Sequence, residues 1–455
     1  MSIRSPTAPA RPSRNPRAVP IYSTPVGGGA LPWWAAIGAL VLAWRAGLTL
    51  VGLIVWQVLG PAPDGEPLVS TVRLSPNPLL AMWAHWDSDW YIGIAANGYT
   101  WEQAAAFFPL YPLAIRAVST VVADRVLAGL LISHAAVLIA ALYLYRLARL
   151  DLPEPAARRA VLFLLAFPSS FFLASVYAEA LFLALLIPAT YLTRCGHWRL
   201  GALLGALAAL ARPVGVLFVL FWAWEYVTAA RREPGRSWWG LLWGMLVPAG
   251  LAIYAVYTWV RFGDPFLFRN AKAYWGETDF SFLARLPAIA GELAAGALAM
   301  PPALLLVGLP AGIATLVLLR SGVRKQRLSL EWLCLLFGLA ALPAYLSPRL
   351  HAAWAWRTMQ VLDYALLVGA WALTPLILAR LRPSYGIYCA AVLAATVSTF
   401  TLWSVNRYIL MLFPVFILLA KWSERSTIIE RIYLTLALPL LGLLTALFVR
   451  GHWVA

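Results

Sequence analysis

Residues 81–116 read AMWAHWDSDWYIGIAANGYTWEQAAAFFPLYPLAIR. Asp87, Asp89 and Glu102 stand here among aromatic side chains, in a chain that is otherwise largely apolar. The stretch follows the first long hydrophobic run and precedes the second. It is too polar to cross a bilayer and too apolar to stand clear of one. Trp83, Trp86 and Trp90 fall at i, i+3 and i+7, with Ile94 at i+11, which is the spacing of one helical face. Tryptophan-rich faces favour the membrane–water boundary, so an interfacial helix through these residues is predicted. It would hold its carboxylates beside whatever the spanning helices enclose.

Spacing limits how the two aspartates act. At about 100° per residue they diverge by roughly 200° on a helix, and only one can share a site with Tyr91, which is i+4 from Asp87. If DSD is instead a turn, both converge and a divalent metal between Asp87 and Asp89 becomes possible. In a third reading they only cap or solvate a helix start.

Of the 455 residues 62% are hydrophobic, and the mean hydropathy is +0.76. Soluble domains sit nearer half apolar, so the class is an all-α polytopic membrane protein. The net charge of +16 could point to nucleic acid. The basic residues, however, lie in short clusters between apolar runs, which is the pattern of inward-facing membrane loops, and nucleic acid is rejected as a partner. Cys195, Cys334 and Cys389 have neither paired nor metal-like spacing and read as isolated thiols.

Residues 1–30, rich in Pro, Ser, Gly and Arg, are expected to be a disordered basic cytoplasmic tail. Residues 31–455 are read as one integral membrane domain. Within it, 60–125 form a large outer first loop carrying interfacial helices, and 261–296 a second outer loop. The first run, 33–59, shows no cleavage site and reads as a retained anchor interrupted by Arg45, which either snorkels or faces a polar interior. Further runs follow at 126–145 and 238–260, at 297–319, before 347, at 358–379, up to 402, and from 403 to Arg450. Two regions hold paired short passes. One breaks at FPSSFFLASVYAEALF (167–182), where Pro168 frees backbone groups that Ser169, Ser170 and Ser175 can satisfy. The other breaks at ARPVG (211–215). About eleven to thirteen spans result. Lys and Arg favour the side that bears Cys195 and the 320–327 loop, which puts the Asp87 loop outside.

Several polar residues sit at these breaks. Glu179 beside a bilayer is costly unless it faces water or a partner. Arg212 is either a site residue or an interfacial cation. His134 reads as an ordinary hydrogen-bonding residue inside its helix, and Asp363 as a partner for Arg357. Arg269, Lys272, Tyr274 and Trp275 make a basic-aromatic surface suited to phosphate, sugar or lipid headgroups.

HWDSDWY (85–91) and NGYTWEQAAAFFPLYP (97–112), in that order within one loop, resemble the PIG-V mannosyltransferase family of the C-type glycosyltransferase superfamily. That family carries a similar Trp-Asp, then Gly-Tyr, then Glu, then Ala-Phe-Phe-Pro-x-x-Pro. Asp87 matches its first acidic residue and Glu102 its second, while Asp89 matches the Asp-x-Asp theme of the superfamily. Tyr177 and Glu179 match a second segment, Arg212 an arginine followed by glycine, and Arg407 and Tyr408 begin a similar Arg-Tyr-x-x-x-x-Phe-Pro (407–414).

The resemblance implies an inverting membrane mannosyltransferase working on the outer membrane face. Its donor would be a polyprenyl-phosphate sugar, its acceptor a lipid-linked or other glycan, and its surroundings membrane lipids. The catalytic candidates are Asp87, Asp89 and Glu102, with Asp87 as general base. Tyr91, Tyr177, Glu179, Arg212, Arg407 and Tyr408 are the substrate-binding candidates. No cofactor is firmly implied. The rival reading is a multi-spanning transporter or flippase of a lipid-linked saccharide, which would tend to show paired repeats and mid-span charge; most charge here lies at helix ends. The composition and short loops read as bacterial, which implies the cell membrane; in a eukaryote it would be the endoplasmic reticulum membrane.

Overall fold

The computed structural model describes residues 31–62, 69–70, 72–233, 235–275, 352–397 and 404–454. These residues fold into helices, and their one β contact is an isolated antiparallel bridge between Val69 and His452. In chain order the α-helices are α1 (Trp33–Leu59), α2 (Pro78–Ala81), α3 (Asp87–Asn97), α4 (Leu110–Val118), α5 (Arg125–Arg149), α6 (Glu154–Ala166), α7 (Glu179–Arg194) and α8 (Trp198–Ala211). They continue with α9 (Phe218–Arg232), α10 (Leu246–Phe262), α11 (Leu267–Asn270), α12 (Ala352–Arg380), α13 (Pro383–Val397), α14 (Val405–Leu410), α15 (Phe413–Ser423) and α16 (Thr427–Val449).

The 27 residues of α1 rise about 40 Å, more than the ~30 Å hydrocarbon layer. Five helical stretches among the described residues are long and apolar enough to cross a membrane: Trp33–Leu59, Arg125–Arg149, Pro213–Arg232, Trp238–Phe262 and Thr427–Val449. Their outer faces expose large apolar side chains, such as Leu42, Leu50 and Ile54 on α1 and Ile253, Val256 and Val260 on α10. Water would not tolerate such faces, and lipid does. The protein is an integral, multi-pass, all-helical membrane protein. α5 packs along α7, α7 along α8 and α8 along α10, while α1 lies on α16 and α15 on α6.

The two broken passes show how irregular backbone survives inside such a bundle. Between α6 and α7, residues 167–178 leave the helix and are buried. The serines satisfy the freed groups: Ser170 Oγ donates to Leu165 O (2.5 Å), Ser175 Oγ to Phe171 O (2.9 Å) and Ser169 Oγ to Asn406 O (2.9 Å). Neighbours supply the rest, with Ser133 Oγ donating to Ser175 O (2.8 Å), Ser88 Oγ to Val176 O (3.1 Å) and Arg45 Nη1 to Ala174 O (3.2 Å). Non-helical backbone at this depth persists only when protein replaces water as its partner. Arg45 thus faces the interior rather than snorkelling. Between α8 and α9 the chain breaks at Arg212-Pro213, and Gly215 lies so close to α8 that a Cβ would sit 2.5 Å from Ala208 C.

The predicted interfacial helix is corrected at its start. It begins at Asp87, not at Trp83, because Trp86 takes φ 58, outside any right-handed helix. Trp83 is buried under the Arg45 guanidinium, 4.1 Å from the ring centroid. Trp86 Nε1 donates to Gly451 O (3.0 Å), and Trp90 stacks on Phe107 at 5.3 Å. All three indoles make tertiary contacts, Trp83 fully buried and Trp86 and Trp90 half-buried. His134 Nδ1 bonds the Leu130 carbonyl one turn back, as an ordinary helix-interior histidine. The tail 1–30, the second loop beyond 275, the spans expected at 297–319 and before 347, the 320–327 loop and Cys334 lie outside the described residues, as does the side chain of Arg357.

Candidate active site

Four charged side chains from four elements meet behind the loop between α2 and α3. Asp87 is the first residue of α3 and Glu179 the first of α7, positions where unpaired helical N–H groups favour a carboxylate. Arg407 lies on α14 and Arg212 at the break after α8. Arg407 Nη1 donates to Asp87 Oδ2 (2.5 Å) and stands 3.7 Å from Glu179 Oε1, which Arg212 Nη1 also grips. The order Asp87, Arg407, Glu179, Arg212 alternates charge, with Glu179 fully buried and Arg407 only 8% exposed. Such a set tolerates burial because each charge has an opposite neighbour.

The surroundings hold Arg407 in place. Its Nη2 donates to Ser404 Oγ (2.8 Å), and its guanidinium lies 5.4 Å from the ring centroids of both Phe172 and Tyr177. α14 itself is fastened through Asn406. That residue's N–H donates to Asp363 Oδ1 (3.0 Å), its Nδ2 donates to Val454 O (3.2 Å), and its carbonyl accepts from Ser169. Asp363 therefore fastens the Arg407 helix. Trp86 and Ser404, which adjoin Asp87 and Arg407, are the only non-glycine residues with positive φ among those described. That conformation costs about 1–3 kcal/mol each and accumulates where a site is over-determined by its surroundings.

A cavity of about 140 Å³ opens onto this group. Asp87, Tyr91, Arg212, Arg407 and Tyr408 line it, with Phe107, Phe108, Lys272, Ser404 and Trp453. Tyr408 lies under Arg212, 5.5 Å from its guanidinium carbon, and Tyr177 donates its hydroxyl to His85 O (3.1 Å) behind the cavity. Burial pushes Arg407 toward neutrality, but Asp87 and Glu179 outweigh it and hold the guanidinium above its ordinary range. Arg212 behaves alike: burial opposes the charge and Glu179 restores it. Both are fixed cations. Burial, reinforced by Glu179 beside Tyr91 and by Asp87 beside Tyr177, pushes both phenols well above their usual value, so they are neutral hydroxyls.

Asp89 and Glu102 are not part of this group. α3 is helical from Asp87 onward, so Asp89 points roughly 200° away and is exposed; partial burial pushes its carboxyl up. Glu102 starts a short 3-10 turn, Glu102–Ala106, and is exposed. The DSD motif therefore presents no converging carboxylates to a metal. No cluster of three or more His, Cys, Asp or Glu residues suited to a metal occurs among the described residues. Sequence reasoning missed Ser404, Asn406 and Trp453. Trp453 had a faint signal, an indole just beyond the last apolar run; it packs edge-on against Trp86 at 4.9 Å.

A buried, alternately charged carboxylate–arginine group thus lies at the mouth of a small cavity, inside an all-helical multi-pass membrane protein. The sequence model of the family described as Mannosyltransferase (PIG-V) matches residues 65–230. GPI alpha-1,6-mannosyltransferase 2 of Rattus norvegicus is 33% identical over 196 residues, which is 38% of this chain and 39% of that protein. The Homo sapiens protein of the same name is 35% identical over 196 residues, with the same shares. The chain thus spans about two fifths of the length of these relatives. ArnT from Cupriavidus metallidurans bound to undecaprenyl phosphate superposes over 90% of this chain and 78% of that one, at 15% identity and a TM-score of 0.36, too low to carry an argument. Asp87, Tyr91, Tyr177, Glu179 and Arg212 fall within 65–230, whereas Arg407 and Tyr408 lie outside it and join the site only through the fold.

Proposed function

We propose that the protein is a membrane glycosyltransferase that moves mannose, with inversion, from a polyprenyl-phosphate donor to a hydroxyl of a lipid-linked or other glycan acceptor on the outer membrane face. The observation that carries this reading is the sharing of one cavity by Asp87, Arg407 and Arg212. A carboxylate beside two fixed guanidiniums is what attack by a hydroxyl and departure of a phosphate require. Asp87 takes the acceptor's proton as that oxygen bonds to the anomeric carbon. The bond from that carbon to the donor phosphate breaks, its electron pair passes to the phosphate oxygen, and Arg407 and Arg212 meet the charge. Arg407 is engaged by Asp87. A donor phosphate drawing on the same guanidinium loosens that ion pair and frees the carboxylate for the acceptor. Tyr91 and Tyr408 hydrogen-bond sugar or phosphate through their hydroxyls.

The test is a transfer assay with purified protein in lipid, offering polyprenyl-phosphate mannose against nucleotide-linked mannose. Transfer is expected from the former only. Asp87→Asn should lower turnover by ~10²–10⁴-fold with folding intact, as loss of a general base does, whereas Asp89→Asn and Glu102→Gln should cost far less. Near-normal turnover in Asp87→Asn, or equal losses in all three variants, would remove Asp87 from the role.

A further inference from the structure

Beyond α16 the chain turns back over the candidate active site. Gly451 takes φ 95, and a Cβ there would lie 2.8 Å from Ser70 O, so the reversal needs glycine. The turn is fastened to the first outer loop. Arg450 O accepts from Ala62 N (3.1 Å), and Gly451 O accepts from both Ser70 N (2.8 Å) and Trp86 Nε1 (3.0 Å). Further on, Val454 is buried, and its carbonyl accepts from Asn406 Nδ2 (3.2 Å). Trp453 is thus held from two sides. Its ring packs edge-on against Trp86, the neighbour of Asp87, and the next residue's backbone bonds Asn406, the neighbour of Arg407. The indole is half-buried and forms part of the cavity wall with Asp87, Arg212 and Arg407.

We infer that Trp453 is the platform on which the transferred sugar ring lies, and that it raises the preference of the site for a sugar-bearing lipid phosphate over the bare one. This assignment rests on the glycosyltransfer reading above. In such a transfer the anomeric carbon stands between the acceptor oxygen, at Asp87, and the leaving phosphate, at Arg407 and Arg212. Trp453 is fastened between the neighbours of Asp87 and Arg407, so it flanks the same place. The cavity, of about 140 Å³, is well below the ~300–1,000 Å³ of sites for drug-sized ligands and suits one pyranose ring. On the face opposite its axial 2-hydroxyl, mannose presents C–H bonds. A flat indole takes that face out of water, while the hydroxyls at the ring edge reach Tyr91 and Tyr408 elsewhere on the wall. The guanidiniums by themselves favour the bare phosphate, which carries more charge than the sugar phosphodiester. The indole acts in the opposite direction, because only the donor carries the ring. Once the sugar has left, the spent carrier loses this contact and is released more readily.

The ratio of two affinities tests the platform. Native mass spectrometry of the full chain in micelles, without acceptor, would follow citronellyl phosphate and citronellyl-phosphate mannose at matched concentrations. Trp453→Leu should shift the ratio toward the bare phosphate by about three- to tenfold, through weaker binding of the mannosyl lipid alone. Trp453→Tyr keeps a flat ring and should recover most of that loss. An unchanged ratio in Trp453→Leu would overturn the assignment. So would equal weakening of both lipids, which is what a merely structural role of the returning chain predicts, or a Trp453→Tyr variant no better than Trp453→Leu. A wild type that binds neither lipid would remove the transfer reading itself, and the platform with it. The two failures are therefore told apart by whether the unaltered protein holds the lipid phosphate at all.

Discussion

Arg407 serves two carboxylates at once, and its replacement should reveal both duties. Arg407→Ala leaves Asp87 and Glu179 in a buried place with one cation fewer. The thermal unfolding of the purified protein should register a loss of roughly 3–5 kcal/mol. Arg407→Lys keeps the charge but loses the planar fork, so stability should recover in part while the Michaelis constant for the donor stays raised. An alanine variant that melts with the wild type would show that the ion pair contributes nothing to the fold. His85 offers a test by pH. Burial lowers its pKa to about 4, so it is neutral in the folded protein at neutral pH. The unfolded chain begins to take up this proton near pH 6.5 and the folded chain only near 4. Stability therefore falls as pH drops through that window, by about 2 kcal/mol at pH 5. His85→Gln should flatten this part of the profile between pH 7.5 and 5; an unchanged slope would assign it to other groups.

At the scale of elements, the site depends on two places where helices are interrupted. The segment 167–178 holds Tyr177 and delivers Glu179 at the start of α7, and its backbone is satisfied from within the protein. The break after α8 delivers Arg212, and there Gly215 admits the close approach. Gly215→Ala would place a carbon 2.5 Å from Ala209 N, and backbone cannot yield as a flexible side chain does. A cost of about 1–3 kcal/mol and weaker donor binding are expected, since Arg212 moves with its turn. Gly38→Ala on α1, where nothing lies within 4 Å of the added carbon, is the matched control and should be neutral or slightly stabilising. If both variants melt and bind alike, the close approach does not position Arg212.

For the whole molecule, the bundle places the Asp87 group at one end of α7 and Arg194 at the other. We expect these ends on opposite membrane faces, with the Asp87 end outside, because the clusters of Lys and Arg favour the other end. In a cysteine-free background, Thr100→Cys, at an exposed position of the first loop, should react with an impermeant thiol reagent added to intact cells. His197→Cys, exposed after α7, should react only once the membrane is opened. The reverse pattern would invert the orientation and move the proposed reaction to the inner face.

Composition and apolar run length were enough to establish a polytopic helical protein, because a bilayer leaves helices of about 20 residues as the ordinary way to bury backbone. Local chemistry also made the interruptions legible: Pro168 and Pro213 remove donors, and the serines at 169, 170 and 175 are the groups that compensate. Asp87 with Tyr91 one turn later, Glu179, Arg212 and Arg407 could each be singled out as charge that a membrane tolerates only for a reason. Their partnership could not. Asp87 and Arg407 are 320 residues apart, and no periodicity encodes which cation meets which carboxylate. The same limit misplaced the helix through Trp83: the tryptophan spacing was helical, yet the positive φ at Trp86 and the burial of Trp83 beneath Arg45 are set by contacts with α1 and with the residues after α16. A chain can announce by itself which residues are too costly to bury alone; only the packed structure decides what they are buried against.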